Sequence, residues 1–318
     1  MQNLCLSVVV PLFNETENVP LLVARIQQEL TDINWELIFV DDGSRDKTVQ
    51  TVLEEAKKDP RIILVEFTRN YGQTAAMAAG IEAASGEYIV TLDGDLQNDP
   101  KDIPAMLKKL RDENWDIVVG RRQKRQDGMF LRKIPSKIAN LLIRRLSGVA
   151  MHDYGCTLKV FRAELAKNLD LQGELHRFIP ILAAMEGAKI SEVPVLHHAR
   201  KFGTSKYGIG RTFRVLSDLL LMFFFLRYRQ KPMHLFGTLG TALLILGSTI
   251  ELYLLVLKIL GESIGGRPLF FVGIVMILAG IQLITTGFLA EMLTRTHLAA
   301  SQRRSYRIRK IHRTETNA

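Results

Sequence analysis

The sequence predicts an α/β protein with a mostly parallel sheet, followed by a hairpin of two membrane-spanning helices. Through the first 195 residues, short apolar runs alternate with helical patterns of about a dozen residues. This alternation is typical of a parallel sheet that helices cover on both faces. Two apolar stretches of about 25 residues follow, and each is long enough to cross a bilayer.

The strand predictions rest on apolar runs rich in β-branched residues and bounded by turn residues. The predicted strands span residues 7–12, 36–40, 62–67, 88–92 and 116–119, with a helical pattern over 19–30. Polar residues follow three of these strands: Asn14-Glu15, Asp41-Asp42 and Asp93-Gly94-Asp95. Open parallel sheets bind their ligands beyond the carboxyl ends of the strands, so this edge is the expected binding site.

The apolar stretches 235–260 and 268–293 predict two transmembrane helices joined by a short link. Lys231 precedes the pair and a basic cluster from Arg295 onward follows it, whereas the link offers only Arg267. The positive-inside rule then predicts a multi-pass protein of the cytoplasmic (inner) membrane. The N-terminal domain and both termini are expected in the cytoplasm.

The predicted organisation has four parts. They are an α/β domain over 1–199, an amphipathic juxtamembrane segment over 200–232, two transmembrane helices over 233–294 and a basic cytoplasmic tail over 295–318. The apolar centre of the second part is too short to span, so it lies either in the headgroup plane or buried in the domain. Glu251 lies inside the first span, where a carboxyl group is a candidate functional group.

The net charge of +9 is concentrated in three segments. Residues 121–147 carry nine Lys and Arg against one acid, residues 200–231 eight against one, and residues 295–318 seven against one. This distribution favours anionic phosphates and an anionic lipid bilayer as partners, and it disfavours nucleic acid. The chain has only two cysteines, which excludes a disulfide framework and suits a reducing compartment.

Asp93-Gly94-Asp95 is the sharpest chemical signal in the sequence. Two carboxylates one residue apart at a strand end can meet one hard cation, and Mg²⁺ or Mn²⁺ prefers such oxygen ligands. Gln97 adds an amide oxygen as a third candidate ligand. Asp41 and Asp42 are placed to accept hydrogen bonds from a ribose or a base edge, while Asp42 can equally form an Asx turn before the next helix.

Several motifs in this order resemble those of the family 2 glycosyltransferases of the GT-A (Rossmann-like) fold. They are Pro11-Leu12-Phe13-Asn14-Glu15, Val40-Asp41-Asp42-Gly43-Ser44, Arg69-Asn70-Tyr71-Gly72-Gln73 and Asp93-Gly94-Asp95-Leu96-Gln97. Within that family the chain resembles the polyprenyl-phosphate glycosyltransferases, which include dolichyl-phosphate mannose synthase, bactoprenol glucosyltransferase and undecaprenyl-phosphate aminoarabinose transferase. Two further stretches, 152–156 and 202–207, are most similar to the aminoarabinose branch.

The resemblance implies roles for individual residues. It implies a nucleotide pocket lined by Pro11, Asn14, Glu15, Asp42 and Gln73. It implies that Asp95 and Gln97 hold Mg²⁺ or Mn²⁺, with Asp93 on the ribose and sugar side of the same site. Phosphate contacts are implied for Arg121, Arg132 and Lys206. Asp153 is either a general base or a positioning residue, while His152 and Cys156 are read as a local hydrogen bond and a small buried side chain.

The implied reaction is an inverting transfer of a sugar from a nucleotide sugar, UDP-linked by analogy, to a polyprenyl (undecaprenyl) phosphate. The residues expected to act in catalysis are Asp95, Arg132, Asp153 and Lys206. Repeated chain extension is not expected, because the tryptophan motif of processive synthases is absent from the sequence. The alternatives are a sugar-1-phosphate nucleotidyltransferase and a non-catalytic membrane lipid-carrier subunit. Gly237, Gly240 and Gly247 permit close helix packing and so a homo-oligomer.

Overall fold

The computed structural model describes residues 5–122, 151–169, 171, 173, 175–199, 224, 228, 232–264, 266–300 and 308–313. The chain divides into two compact units. The first combines Met1–Leu216 with Arg304–Ala318, and the second is Ser217–Arg303.

The first unit contains an eight-stranded sheet in the order β7-β5-β6-β4-β1-β2-β3-β8. Its strands are β1 (Leu6–Leu12), β2 (Trp35–Asp41), β3 (Ile62–Phe67), β4 (Tyr88–Thr91), β5 (Ile117–Arg122), β6 (Lys159–Arg162), β7 (Ile190–Val195) and β8 (Ile308–Arg313). Among the described residues its helices are α1 (Val19–Glu29), α2 (Thr48–Lys58), α3 (Gln73–Ala83), α4 (Ile103–Asp112), α5 (Ala163–Asn168) and α6 (Ile179–Met185), with 3₁₀ turns at Pro100–Asp102 and Leu175–Phe178.

The sheet is mixed but mostly parallel, as the sequence predicts. Strands β1 to β4 are parallel to one another, and β5 is parallel to β7. Strand β6 lies between β4 and β5 and runs antiparallel to both. The carboxyl ends of β1 to β5 therefore share one edge with the amino end of β6. All five predicted strands are present, with ends that differ by up to three residues.

The sequence did not predict the strands β6, β7 and β8. Strand β6 is short and begins and ends with a basic residue, and β7 contains a proline and a glutamate. Strand β8 has only two apolar residues, Ile308 and Ile311, among basic ones, and it pairs antiparallel with β3 at an edge of the sheet. The sequence pattern assigns this last segment to a basic tail, because an edge strand with so many charges lacks a continuous apolar run.

The core of the first unit follows from the apolar patterns. Strand β2 is buried along its whole length, and β1 is buried except at Pro11. Helix α1 places Val19, Leu22 and Ile26 on one buried face. Each such side chain contributes roughly 1.5–3 kcal/mol when fully buried, so the central strands and their covering helices fix the edge that carries the polar loops.

The second unit contains the hairpin of α7 (Pro232–Ile259) and α8 (Pro268–Ala300). Both helices are long and apolar enough to cross a membrane, with mean hydropathies of 2.0 and 2.3. They pack antiparallel and closely: a Cβ added at Gly240 would lie 2.7 Å from the Gly280 carbonyl oxygen, and one at Gly247 would lie 2.8 Å from that of Gly273. These two glycines thus serve the contact within the hairpin, a use that the sequence did not specify.

Candidate active site

The loops after β1 and β2 interlock at the carboxyl edge of the sheet. The backbone amide of Asn14 donates to Ser44 Oγ at 2.9 Å, and Asn14 Oδ1 accepts from the amide of Arg45 at 2.9 Å. The amide of Glu15 donates to Thr48 Oγ1 at 2.8 Å. Asn14 has a φ of 55°, a left-handed conformation that asparagine tolerates better than most residues. Both predicted pocket residues, Asn14 and Glu15, are therefore held against the loop that follows β2, while Pro11 lies in β1.

Asp41 forms the Asx turn that the sequence offered as one reading of Asp42. Its Oδ2 accepts from the amides of Gly43 at 3.1 Å and Ser44 at 3.0 Å. Burial raises the pKa of Asp41, whose side chain is 1% exposed. Within the described part of the chain, Asp41 Oδ1 has no hydrogen-bond partner.

Asp42 bonds to the loop that follows β3. Its Oδ1 accepts from the Tyr71 amide at 2.6 Å, and its Oδ2 accepts from the Gly72 amide at 3.0 Å. The Tyr71 ring packs edge-on against Phe67, with a centroid separation of 5.5 Å, and the Arg69 guanidinium lies 4.7 Å over it. Asp42 thus fixes the entry to α3, where Gln73 begins the helix. A contact of Asp42 with a nucleotide remains a prediction.

The acidic pair follows β4, and its two members differ in their partners. Asp93 Oδ1 accepts from Gln73 Nε2 at 2.7 Å, and Asp93 Oδ2 accepts from Thr157 Oγ1 at 2.7 Å. Asp95 Oδ1 accepts from the backbone amide of Gln97, in its own loop, at 3.1 Å. Burial and the neighbouring charge of Asp95 raise the pKa of Asp93 to about 6.

The chemistry of this pair fits a divalent cation. Two carboxylates that repel each other in a buried site favour a positive ion between or beside them. Among the described residues, no group of three His, Cys, Asp or Glu side chains could enclose a metal. Mg²⁺ and Mn²⁺ do not need such a cage, since one or two carboxylates suffice when substrate phosphates and water complete the shell. Asp95 and the amide oxygen of Gln97 supply suitable atoms.

Asp153 reaches the same edge and is paired with Arg122 at the end of β5. Arg122 Nε and Nη2 donate to its two carboxylate oxygens at 2.6 and 2.7 Å. Burial lowers the pKa of Arg122, but bonding to Asp153 outweighs this and the net shift is upward. Glu192 of β7 accepts from the Asp153 amide at 2.9 Å and contacts His152 Nδ1 at 2.7 Å, so His152 makes the local hydrogen bond expected of it.

Lys159 lies beneath the site at the start of β6 and is 1% exposed. Its ammonium donates to the carbonyl of Cys156. Burial lowers the pKa of Lys159, and the nearby Cys156 and Asp93 oppose that shift. Cys156 is 0% exposed, which confirms the reading of Cys156 as a small buried side chain, and this burial raises the pKa of its thiol to about 11.

Sequence reasoning found most of the polar residues at this edge and missed those that precede or begin β6. Thr157 and Lys159 were missed because no apolar strand pattern marks that segment; only the adjacent Cys156 motif pointed to it. Arg122 was also missed, because it lies beyond the predicted end of β5 and its partner Asp153 is distant in the sequence. Arg121 lies beside Arg122 in β5, and its phosphate role remains a prediction. Arg132 and Lys206 lie outside the described residues.

The residues 7–170 match the model of Glycosyl transferase family 2. The chain therefore belongs to this family, and it is a glycosyltransferase. A dodecaprenyl-phosphate galacturonate synthase from Rhizobium johnstonii is 49% identical to it, over 100% of this chain and 96% of that protein. An undecaprenyl-phosphate 4-deoxy-4-formamido-L-arabinose transferase from Salmonella choleraesuis is 36% identical, over 96% of this chain and 93% of that protein.

Two solved structures show the same fold at low identity. One is glucosyl-3-phosphoglycerate synthase from Mycobacterium tuberculosis, in complex with Mn²⁺, uridine-diphosphate-glucose and phosphoglyceric acid. It has a TM-score of 0.55 at 18% identity, and the match covers 69% of this chain and 79% of the synthase. A mannosyltransferase from Pyrobaculum calidifontis, in complex with GDP-Man and Mn²⁺, has a TM-score of 0.52 at 18% identity. That match covers 96% of this chain and 83% of the mannosyltransferase.

Proposed function

We propose that the protein transfers one sugar from a nucleotide sugar to a polyprenyl phosphate, with inversion and with a divalent metal. The observation that carries this proposal is the acidic pair at the end of β4, with Asp93 held by neutral donors and Asp95 beside it. The two relatives described above, both named for sugar transfer to a polyprenyl phosphate, support the acceptor class. The proposed donor is UDP-linked, and a uronic acid is the first sugar to test because the galacturonate synthase is the more similar of the two.

The proposed division of the site follows its contacts. Asp95 and Gln97 hold Mg²⁺ or Mn²⁺, which when bound supplies positive charge to the departing diphosphate. Asp93 faces the ribose and sugar of the donor, oriented by Gln73. The nucleotide lies against the interlocked loops that contain Pro11, Asn14, Glu15 and Asp42.

Asp153 acts in this proposal by positioning and not as a base. The acceptor phosphate has a second pKa near 6 by analogy with protein phosphates, so at neutral pH it is largely a dianion with no proton to remove. Both carboxylate oxygens of Asp153 are bound by Arg122, which weakens Asp153 as a base. Arg121, Arg132 and Lys206 are proposed to supply further positive charge for the phosphates.

The proposed membrane topology places the catalytic chemistry at the cytoplasmic face. Helices α7 and α8 are antiparallel, so the chain enters and leaves the hairpin on one side of the bilayer. Strand β8, which follows the hairpin, pairs with β3, which precedes it, and this pairing supports an even number of crossings. The basic flanks then favour the cytoplasm. Residues 200–232 are proposed to lie in the headgroup plane, near the acceptor.

A donor screen with the purified full-length protein tests the function. UDP-galacturonic acid, UDP-4-deoxy-4-formamido-L-arabinose, UDP-glucose and GDP-mannose are each incubated with undecaprenyl phosphate and Mg²⁺ or Mn²⁺. Nucleotide release and lipid-linked sugar are measured together by chromatography and mass spectrometry. We expect release that needs both the lipid and the metal, with a UDP-linked uronic acid the best donor. Pyrophosphate release from UTP and a sugar 1-phosphate would instead show a nucleotidyltransferase, and no turnover at all would support a lipid carrier.

A further inference from the structure

Thr157 lies where three parts of the site meet. Its hydroxyl bonds to Asp93 Oδ2 at 2.7 Å and to Asn98 Nδ2 at 2.8 Å. Its backbone carbonyl accepts from Oγ1 of Thr91, the last residue of β4, at 2.8 Å. Thr157 therefore ties the segment before β6 to β4 and to the acidic loop.

The direction of these hydrogen bonds is fixed by chemistry. An amide NH₂ group can only donate, so the single proton of the Thr157 hydroxyl goes to Asp93. The other end of the Asn98 amide faces Cys156, whose Sγ lies 4.0 Å from Asn98 Oδ1 and is placed to donate its proton there. Cys156, Asn98 and Thr157 form one chain of donors that ends on Asp93.

Asp93 is thus held from two sides by neutral donors. Gln73 at the start of α3 binds one oxygen, and Thr157 before β6 binds the other. A carboxylate has about four acceptor positions, so two remain for a substrate hydroxyl. Asp95, in contrast, is oriented by the backbone of its own loop.

We propose that Thr157 is a positioning residue of the transfer reaction that acts through Asp93. Its hydroxyl turns the Asp93 carboxylate towards the donor sugar and leaves the cation to Asp95 and Gln97. This inference rests on the proposed function, since it names what separates the roles of the two carboxylates in that site.

Thr157→Val keeps the shape of the side chain and removes its proton donor. We expect kcat/KM for the nucleotide sugar to fall about 10-fold to 100-fold, the effect of losing one hydrogen bond to a charged group. Thr157→Ser restores the donor and should recover activity to within about 3-fold. The Mn²⁺ affinity, measured by electron paramagnetic resonance of free Mn²⁺, should change less than about 2-fold, because Asp95 and Gln97 hold the ion.

Thr51→Val is the matched control. Thr51 Oγ1 donates to the Lys47 carbonyl at 3.0 Å within α2, so the same substitution there removes a hydroxyl whose described hydrogen bond is to no residue of the site. It should leave kcat/KM unchanged. Wild-type kcat/KM in Thr157→Val, or a serine variant as poor as the valine variant, overturns the proposal, and so does a parallel loss of Mn²⁺ affinity.

A double-mutant cycle tests whether the effect passes through Asp93. In an Asp93→Asn background, Thr157→Val should cost less than about 2-fold further, because the partner carboxylate is already gone. Additive losses in the cycle contradict the proposed route.

If the wild-type protein transfers no sugar, the proposed function fails by itself. Binding of UDP-sugars with Mn²⁺, measured by calorimetry, then decides the role of Thr157. Unchanged binding in Thr157→Val would reject it.

Discussion

The parallel sheet of the first unit holds buried acids at both of its edges, and the two sets have different partners. At the edge formed by the amino ends of β1 to β5, here called the amino edge, Glu36 accepts from Ser7 Oγ and from the Ser85 amide, both at 2.6 Å. Asp59 is bound by Arg61 Nε at 2.9 Å and Nη2 at 2.7 Å. At the carboxyl edge, Asp93 receives only neutral hydrogen bonds among the contacts described and lies near a second carboxylate.

The pKa values of Asp59 and Asp93 differ accordingly. The hydrogen bonds from Arg61 lower the pKa of Asp59 to about 2, whereas burial and Asp95 raise that of Asp93 to about 6. An acid with a lowered pKa stabilises the folded protein above its unfolded pKa of about 3.9, and one with a raised pKa destabilises it there. The amino edge is thus built for stability, while the carboxyl edge keeps a negative charge that a cation can neutralise.

The largest expected effect is on catalysis at the carboxyl edge. Asp95→Ala removes the carboxylate proposed to hold the metal, and we expect sugar transfer to fall by about 1,000-fold or more. Membrane insertion should be intact, as measured by extraction with alkali, because the substitution lies outside the hairpin. Transfer at the wild-type rate in this variant would contradict the proposed site.

Asp93→Asn should stabilise the metal-free protein. At pH 7.5 the ionised Asp93 lowers stability, so its neutral replacement should raise the free energy of unfolding by about 1–2 kcal/mol. The gain should shrink as the pH falls through 6 and vanish below about 4, where the wild-type carboxyl is protonated in both states. Both tryptophans, Trp35 and Trp115, lie in the first unit, so their fluorescence follows its unfolding. A loss of stability at pH 7.5 would show that the ionised Asp93 does not destabilise the folded protein.

Asp59→Asn should have the opposite sign. The carboxylate is paired with a partly exposed arginine, so solvent screening limits the expected loss at neutral pH to about 1 kcal/mol. The difference from wild type should disappear as the pH falls from about 4 towards 2, where Asp59 itself becomes protonated. Transfer per folded molecule should equal that of the wild type, and an activity loss would show that the two edges are coupled.

Glu36→Gln should have the smallest effect. Its Oε1 accepts both described hydrogen bonds from neutral donors, and glutamine keeps an oxygen at that position. We expect the free energy of unfolding to change by less than about 1 kcal/mol. Glu36→Leu removes the acceptor and is the informative contrast, since it leaves buried donors unpaired.

The carboxyl edge could be predicted from the sequence wherever a long apolar strand leads into it. Asp42, Asp93 and Asp95 each follow such a strand, and parallel strands bring their carboxyl ends together. Arg122 and Thr157 were not accessible in this way, because their partners, Asp153 and Asp93, are distant in the sequence and approach them only through the antiparallel insertion of the short strand β6. The strand β8 was missed for a related reason, since its two isoleucines among basic residues show no strand pattern and the segment pairs only with the distant strand β3.

The local roles of neighbouring acids were also beyond the sequence. Asp41 and Asp42 are adjacent and chemically identical, yet the first forms the Asx turn and the second binds the Tyr71 and Gly72 amides. The two side chains point to opposite faces of the strand end, and this direction decides which of them forms the Asx turn and which binds the loop after β3. Arg121 and Arg122 are likewise successive residues of a strand, so their side chains point to opposite faces of the sheet. Motif resemblance alone could not decide which of the two arginines pairs with Asp153.

Binding of Mn²⁺ is the most direct test of the contrast between the two edges. Free Mn²⁺ is titrated by electron paramagnetic resonance against the purified full-length protein with UDP, in the wild type, Asp95→Asn and Asp59→Asn. We expect one Mn²⁺ per chain in the wild type and in Asp59→Asn, and loss of that site in Asp95→Asn. Undiminished Mn²⁺ binding in Asp95→Asn would contradict this expectation.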